Sequence, residues 1–231
     1  MLAEQKRFRN RAQAGELLAT ELGVRGVVAE GKPGTMVLGL PRGGVPVAFA
    51  VAMALRLELD VLLVRKLGMP GQPEFAIGAV GSGGVRVLQP GVPGLMGVTQ
   101  AQVDAIAARE LAELERREWL YREDRPVPAL AARDVILVDD GIATGSTMLA
   151  AVQVARGRGA ARVIVAVPVA PPDTLAALAP HVDACVCLAA PLRFRAVSQW
   201  YDAFDQTSDE EVQDLLAMAW RSQAVAGSTP N

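Results

Sequence analysis

The stretch Val135-Ile136-Leu137-Val138-Asp139-Asp140-Gly141-Ile142-Ala143-Thr144-Gly145-Ser146-Thr147 limits what this chain can fold into more than any other. Four apolar residues in a row read as a strand buried on both faces of a parallel sheet. Met148-Leu149-Ala150-Ala151-Val152 reads as helix, so the segment is strand, loop, helix. The loop offers backbone N–H groups and hydroxyls at a helix N-terminus, which is a phosphate site. Two adjacent carboxylates repel phosphate, so they must serve another part of the same ligand. Vicinal sugar hydroxyls donate well to ionised carboxylates. The ligand class is a ribose 5-phosphate, with its phosphate in the loop and its diol on the acids.

The rest of the chain alternates in the same way. Ala14, Leu17, Leu18 and Leu22 recur at helical spacing over residues 11–22, with Gly23 as a stop. Residues 36–40 form a first strand, closed by Pro41-Arg42-Gly43-Gly44, and an Ala-rich helix follows over 45–55 with Pro46 in its first turn. Residues 60–64 form a second strand ending in Arg65-Lys66. The Gly- and Pro-rich segment 68–94 is either a mobile lid or a β-elaboration. Its two apolar pieces, 76–80 and 85–88, suit a hairpin across residues 81–84. Thr99 opens a long helix to about residue 121, with Gln102 at the capping-box position and Trp119 on its apolar stripe. Strands at 135–138, 162–167 and 183–188, helices after the Asp-Asp loop and over 173–178, and a Ser208-capped last helix to about Trp220 complete the pattern. From Gly227 the chain is expected to fray.

Unbroken apolar strands alternating with helices predict an α/β fold: a parallel central sheet with helices on both faces. In such sheets ligands bind beyond the carboxyl ends of the strands. Arg42-Gly43-Gly44, Arg65-Lys66, the acid pair with its loop and the turn before Asp173 all fall there. The organisation expected is one domain over residues 1–231: a core of about 35–190, a flexible loop of about 67–97, and a small hood with helix of about 190–222.

Net charge is −2, which argues against general nucleic-acid binding and requires any anion site to be locally basic. The longest apolar run, residues 45–55, is too short to span a bilayer, and the first seven residues lack the apolar region of a signal peptide. Cys185 and Cys187, two apart on one strand, cannot readily pair. They read as reduced thiols of a cytoplasmic protein, and His181 reads as a surface residue.

The stretch 135–147 resembles the phosphoribosyl-diphosphate (PRPP) signature of type I phosphoribosyltransferases. Pro41-Arg42-Gly43-Gly44 is similar to that family's pyrophosphate loop, and Val64-Arg65-Lys66-Leu67-Gly68-Met69-Pro70-Gly71 to the Arg-Lys segment opening the flexible loop of the adenine and orotate enzymes. A bacterial subgroup of phosphoribosyltransferase-domain proteins is similar over residues 8–220. A Walker-type loop is disfavoured, since no lysine stands where Gly-Lys-Ser/Thr requires one.

The resemblance implies roles. Asp139 and Asp140 would hold the ribose hydroxyls and favour an oxocarbenium-like centre. Gly141, Ile142, Ala143, Thr144, Gly145, Ser146 and Thr147 would hold the 5-phosphate. Arg42, Gly43, Gly44, Arg65 and Lys66 would take pyrophosphate, with Arg42 and Lys66 counted beside the acids as catalytic. Mg²⁺ would bind mainly through PRPP, pyrophosphate and water, with no direct protein ligand. A cis non-proline peptide is implied near Arg42-Gly43, and so is a homodimer. The charged face of the 99–122 helix is either solvated or part of that dimer contact.

The acceptor is less constrained. Hypoxanthine-guanine enzymes carry a lysine on the strand after the loop helix, and residues 163–170 hold none. Adenine enzymes carry a second basic residue where this chain has Met69. Glu74, Phe75, Phe194 and Trp200 are the candidate acceptor walls; Trp200 and Tyr201 could stack on a base or pack the tail on the sheet. Two functions remain open: phosphoribosyl transfer from PRPP to a nitrogen nucleophile, such as a nucleobase, or a non-catalytic PRPP-sensing regulator. Arg42, Lys66 and the full acid pair favour the enzyme.

Overall fold

The computed structural model describes residues 7–89 and 91–227; the side chains of residues 73, 74, 92, 93 and 224–227 lie outside the description, as do residues 228–231, on which the expected fraying falls. In chain order the elements are α1 (Arg11–Val24), β1 (Thr35–Gly39), α2 (Gly44–Leu55), β2 (Glu58–Val61), β3 (Val64–Met69), β4 (Gln72–Gly81), β5 (Val85–Leu88), α3 (Val92–Leu95), α4 (Gln100–Arg122), β6 (Asp134–Val138), α5 (Ser146–Gly157), β7 (Arg162–Val169), α6 (Pro172–Leu178), β8 (Ala184–Ala189) and α7 (Asp209–Gly227).

The main sheet has the order β2-β1-β6-β7-β8, and every pairing in it is parallel. It is covered on both faces, as the unbroken apolar strands require. Ile136 and Val138 of β6 pack with Leu18, Val51, Leu114 and Leu216 from α1, α2, α4 and α7. Val135 and Leu137 pack with Met148, Val152 and Leu178 from α5 and α6. The strand that carries the acid pair is therefore the middle one, and its end is fixed from both sides.

The Gly/Pro-rich segment is a β-elaboration. The expected β4–β5 hairpin forms, and β3 joins it as a third antiparallel strand. Gly81 lets this small sheet lie on α5, since a Cβ there would come within 2.4 Å of Val154 Cγ1.

One expectation needs correction here. The apolar run from Asp60 does not continue as one strand into Arg65-Lys66. β2 ends at Val61, Leu63 N–H donates to Ser82 Oγ, and β3 begins at Val64 in the other sheet. An apolar run does not reveal where a strand changes sheets. Trp119 is also misplaced by periodicity: it is 69% exposed, off the buried stripe that runs through Val103, Ala107, Leu114 and Tyr121. Trp220 does pack on the core and donates Nε1–H to Leu59 O.

Thr99 caps α4 with a complete capping box, as its spacing predicts. At the helix's other end Arg122 is buried. It donates from Nε to Asp60 Oδ1 at 2.9 Å and from Nη2 to Val61 O at 2.6 Å, fastening α4 to edge strand β2. Cys185 and Cys187 are free, and burial pushes the Cys187 thiol up to about 11. His181 is exposed. Among the described residues no helix is long and apolar enough to cross a membrane.

Candidate active site

β1 and β6 are neighbours, so their carboxyl ends bring two loops together. After β1 the chain passes through a cis peptide bond between Pro41 and Arg42, one position before the expected bond, and enters α2 at Gly43. Leu40 N–H donates to Val138 O at 2.9 Å, joining this loop to the end of β6. Gly43 has an ordinary φ of −59°, so its role is space rather than backbone freedom. A Cβ on Gly43 would lie 2.0 Å from Asp140 Oδ2, and one on Gly44 would lie 2.6 Å from Val138 O. The sequence needs both glycines because the loop closes directly on the acids. Gly43→Ala should therefore displace Asp140, costing about 1–3 kcal/mol of stability and, for the PRPP ligand that the sequence resemblance implies, more than about tenfold in affinity. Thermal melting and titration calorimetry check both, and an unchanged affinity would put the ligand elsewhere.

Asp139 Oδ1 accepts the N–H of Asp140 at 2.8 Å, which turns the two carboxylates apart. Asp140 Oδ2 accepts from Nε of Arg11 at 2.9 Å, and Nη2 of the same guanidinium lies 2.9 Å from it as an ion pair. Burial raises the Asp139 pKa well above the ordinary carboxylate value, and the neighbouring Asp140 raises it further. Burial also raises Asp140, against the opposing pull of Arg11. Both carboxyls are thus costly to ionise, Asp139 the more so.

Arg11 is a site residue that sequence reasoning missed. It comes from the start of α1, 129 positions from Asp140, and nothing in its own neighbourhood marks it. Its Nη1 donates to Asp205 O at 2.7 Å, and its guanidinium lies 3.9 Å over the Phe204 ring. Tyr201 O–H donates to Asp140 O at 2.6 Å. The segment after β8 therefore crosses the acid pair and braces it. Asp209, at the start of α7, accepts from Tyr121 O–H and lies 3.9 Å from Arg42 Nη1, so α7 steadies the Arg42 loop as well.

The loop after the acids is held from beneath. Ile142 N–H donates to Val169 O, and Thr174 Oγ1 donates to Ala143 O. Gly145, at φ +78°, turns the chain into α5 without any side-chain cap on the helix N-terminus. The first-turn N–H groups thus point out with no side chain satisfying them, beside the Thr144 and Ser146 hydroxyls, 3.1 Å apart. Lys66 Nζ donates to Ser146 Oγ at 3.4 Å, so its charge lies at this loop. Arg65 turns away, into an ion pair with the buried Glu110 at 2.8 Å.

The acceptor candidates do not converge. Trp200 is 6% exposed and packs with Phe8, Ala14, Val169 and Tyr201, with Phe194 half-buried against the same cluster. Trp200 is thus a packing residue rather than an open stacking wall: the N-terminal segment pairs with it, Phe8 N–H donating to Trp200 O. Phe75 is exposed on β4, in the other sheet. Glu74 is in β4, but its side chain lies outside the described residues.

The family model for the phosphoribosyl transferase domain matches residues 17–196. Two Mycobacterium tuberculosis proteins, "Putative phosphoribosyl transferase MT0597" of strain CDC 1551 / Oshkosh and "Putative phosphoribosyl transferase Rv0571c" of strain ATCC 25618 / H37Rv, are each 49% identical over 223 residues. The match covers 96% of this chain and 49% of each relative, so the chain spans about half the length of the curated relatives it matches. The crystal structure of TT1426 from Thermus thermophilus superposes with a TM-score of 0.83 at 47% identity, covering 92% of this chain and 98% of that one. The chain belongs to the phosphoribosyl transferase domain family.

Proposed function

We propose that this protein transfers a phosphoribosyl group from PRPP to a nitrogen nucleophile and releases pyrophosphate. The observation that carries this reading is the closure of the Gly43-Gly44 loop onto the acid pair, 2.0 Å from a would-be Cβ to Asp140 Oδ2, directly before the uncapped start of α5. That arrangement offers a diol site between two anion sites, which is the charge pattern of PRPP. The free oxygens of Asp139 and Asp140 accept from the ribose hydroxyls, and their charge favours the cationic ring as the bond to pyrophosphate breaks. The α5 N-terminus with Thr144, Ser146 and Thr147 holds the 5-phosphate, and Lys66 adds a cation there. Arg42 and the N–H groups of Gly43 and Gly44 take the departing pyrophosphate.

Mg²⁺ fits this donor set. One oxygen of each acid is already engaged, by the Asp140 N–H and by Arg11, which leaves too few for a protein cage but suits an ion held through substrate oxygens and water. When bound, it neutralises charge on pyrophosphate. The three-stranded sheet of β3 to β5 and the crossing segment after β8 serve in this reading as lid and hood around one domain.

A pyrophosphate-release assay with PRPP, Mg²⁺ and a panel of nucleobases and other nitrogen nucleophiles tests the proposal. Release that depends on the acceptor supports it. Tight PRPP binding without release under any acceptor would favour a PRPP sensor instead.

A further inference from the structure

One cavity of the molecule does not lie over the acid pair. It has a volume of about 700 Å³ and sits between β3, the N-terminal half of α4 and the start of α5. It meets the candidate site at one place, the phosphate loop: Thr147 lines it, and so does Lys66, whose Nζ is 3.4 Å from Ser146 Oγ. Asp139, Asp140, Arg42 and Gly43 do not line it. Within the ribosyl site it therefore adjoins the phosphate loop and not the acid pair. A group in this cavity would attach to a ligand through its 5-phosphate.

The lining suits such a group. Arg65 and Arg109 both pair with Glu110, Lys66 lies beside them at the loop so that the wall is net positive, and Met69 and Ile106 add apolar surface. Cations beside the loop suit a second phosphoryl group, and the apolar wall with this volume suits a flat ring system beyond it. PRPP ends at its 5-phosphate and would leave the cavity unfilled.

We propose that the site also takes ribosyl ligands whose 5-phosphate is extended: a ribose 5-diphosphate carrying a nucleoside-sized group, with the second phosphoryl at Lys66 and Arg109 and the ring system against Ile106 and Met69. The proposal rests on the ribosyl phosphate reading of residues 139–147 and adds a ligand class to it.

Titration calorimetry with PRPP, ribose 5-phosphate and ADP-ribose tests it, on the parent chain and on Ala105→Trp. Ala105 lines the cavity from an exposed position on α4, so the indole fills the space without touching the loop. ADP-ribose should bind the parent at least about tenfold more tightly than ribose 5-phosphate. Ala105→Trp should lose that advantage while binding ribose 5-phosphate unchanged, which also shows that the variant is folded. Equal affinities on the parent, or an advantage that survives Ala105→Trp, would overturn the extended-ligand site and leave the ribosyl reading standing. Failure of PRPP and both probes to bind the parent would overturn both.

Discussion

Asp139→Asn should melt at a higher temperature than the parent chain at pH 8 and bind PRPP about ten- to hundredfold more weakly. The two effects share a cause. Burial and the nearby Asp140 raise the Asp139 pKa in the folded protein, so between the ordinary carboxylate value and that raised value the folded state holds more protons than the unfolded chain. Stability is then greatest below the unfolded pKa and falls as pH rises through the folded one. An amide cannot ionise, and its oxygen can still accept the Asp140 N–H that Asp139 Oδ1 accepts now. The gain should be absent near pH 4 and reach about 0.5–2 kcal/mol at pH 8. Melting curves across that range, with and without PRPP, measure both sides. A variant less stable at pH 8 than at pH 4 relative to the parent would show that the acid pair costs the folded state nothing.

Arg122→Met should be the most damaging single change outside the site, at about 3–5 kcal/mol. Arg122 and Asp60 have side chains only 1% and 4% exposed. Burial raises the Asp60 pKa even though Arg122 opposes it. Removing the guanidinium strands a carboxylate in the interior and leaves Val61 O without its donor. For a chain of this length that is roughly a 6–20 °C fall in Tm. The double variant Asp60→Leu/Arg122→Met should recover much of the loss, since apolar replacement of a whole buried pair is often neutral. No recovery would mean that the pair contributes net stability of its own.

What can be read from the sequence follows from the range over which each signal acts. Asp139, Asp140, their loop and the uncapped α5 are contiguous, and strand, loop and helix chemistry locate them together. The parallel central sheet with helices on both faces follows from apolar strands alternating with helices. An apolar run hides the step between β2 and β3, so the sequence puts Arg65-Lys66 at a core-strand end where the structure does not. Nothing local distinguishes Trp200 as a base-stacking wall from Trp200 as a packing residue; Phe8, which covers it, lies far away in the chain. Arg11 gives no signal at all, since only the folded chain puts it on Asp140.

That last contact has a consequence for how the protein is made. Arg11 joins Asp140 across 129 residues and Asp205 across 194, so the acid pair is braced by segments synthesised near the two ends of the described chain. A nascent chain that has emerged only as far as β7 can pair β1, β2, β6 and β7, yet Tyr201, Phe204 and Asp205 have still to arrive. Sheet and binding competence thus appear at different moments of translation. Ribosome-bound intermediates would carry Asp140 with its Arg11 partner but without the segment that fixes both, and become able to hold a ligand only once Tyr201, Phe204 and Asp205 have emerged.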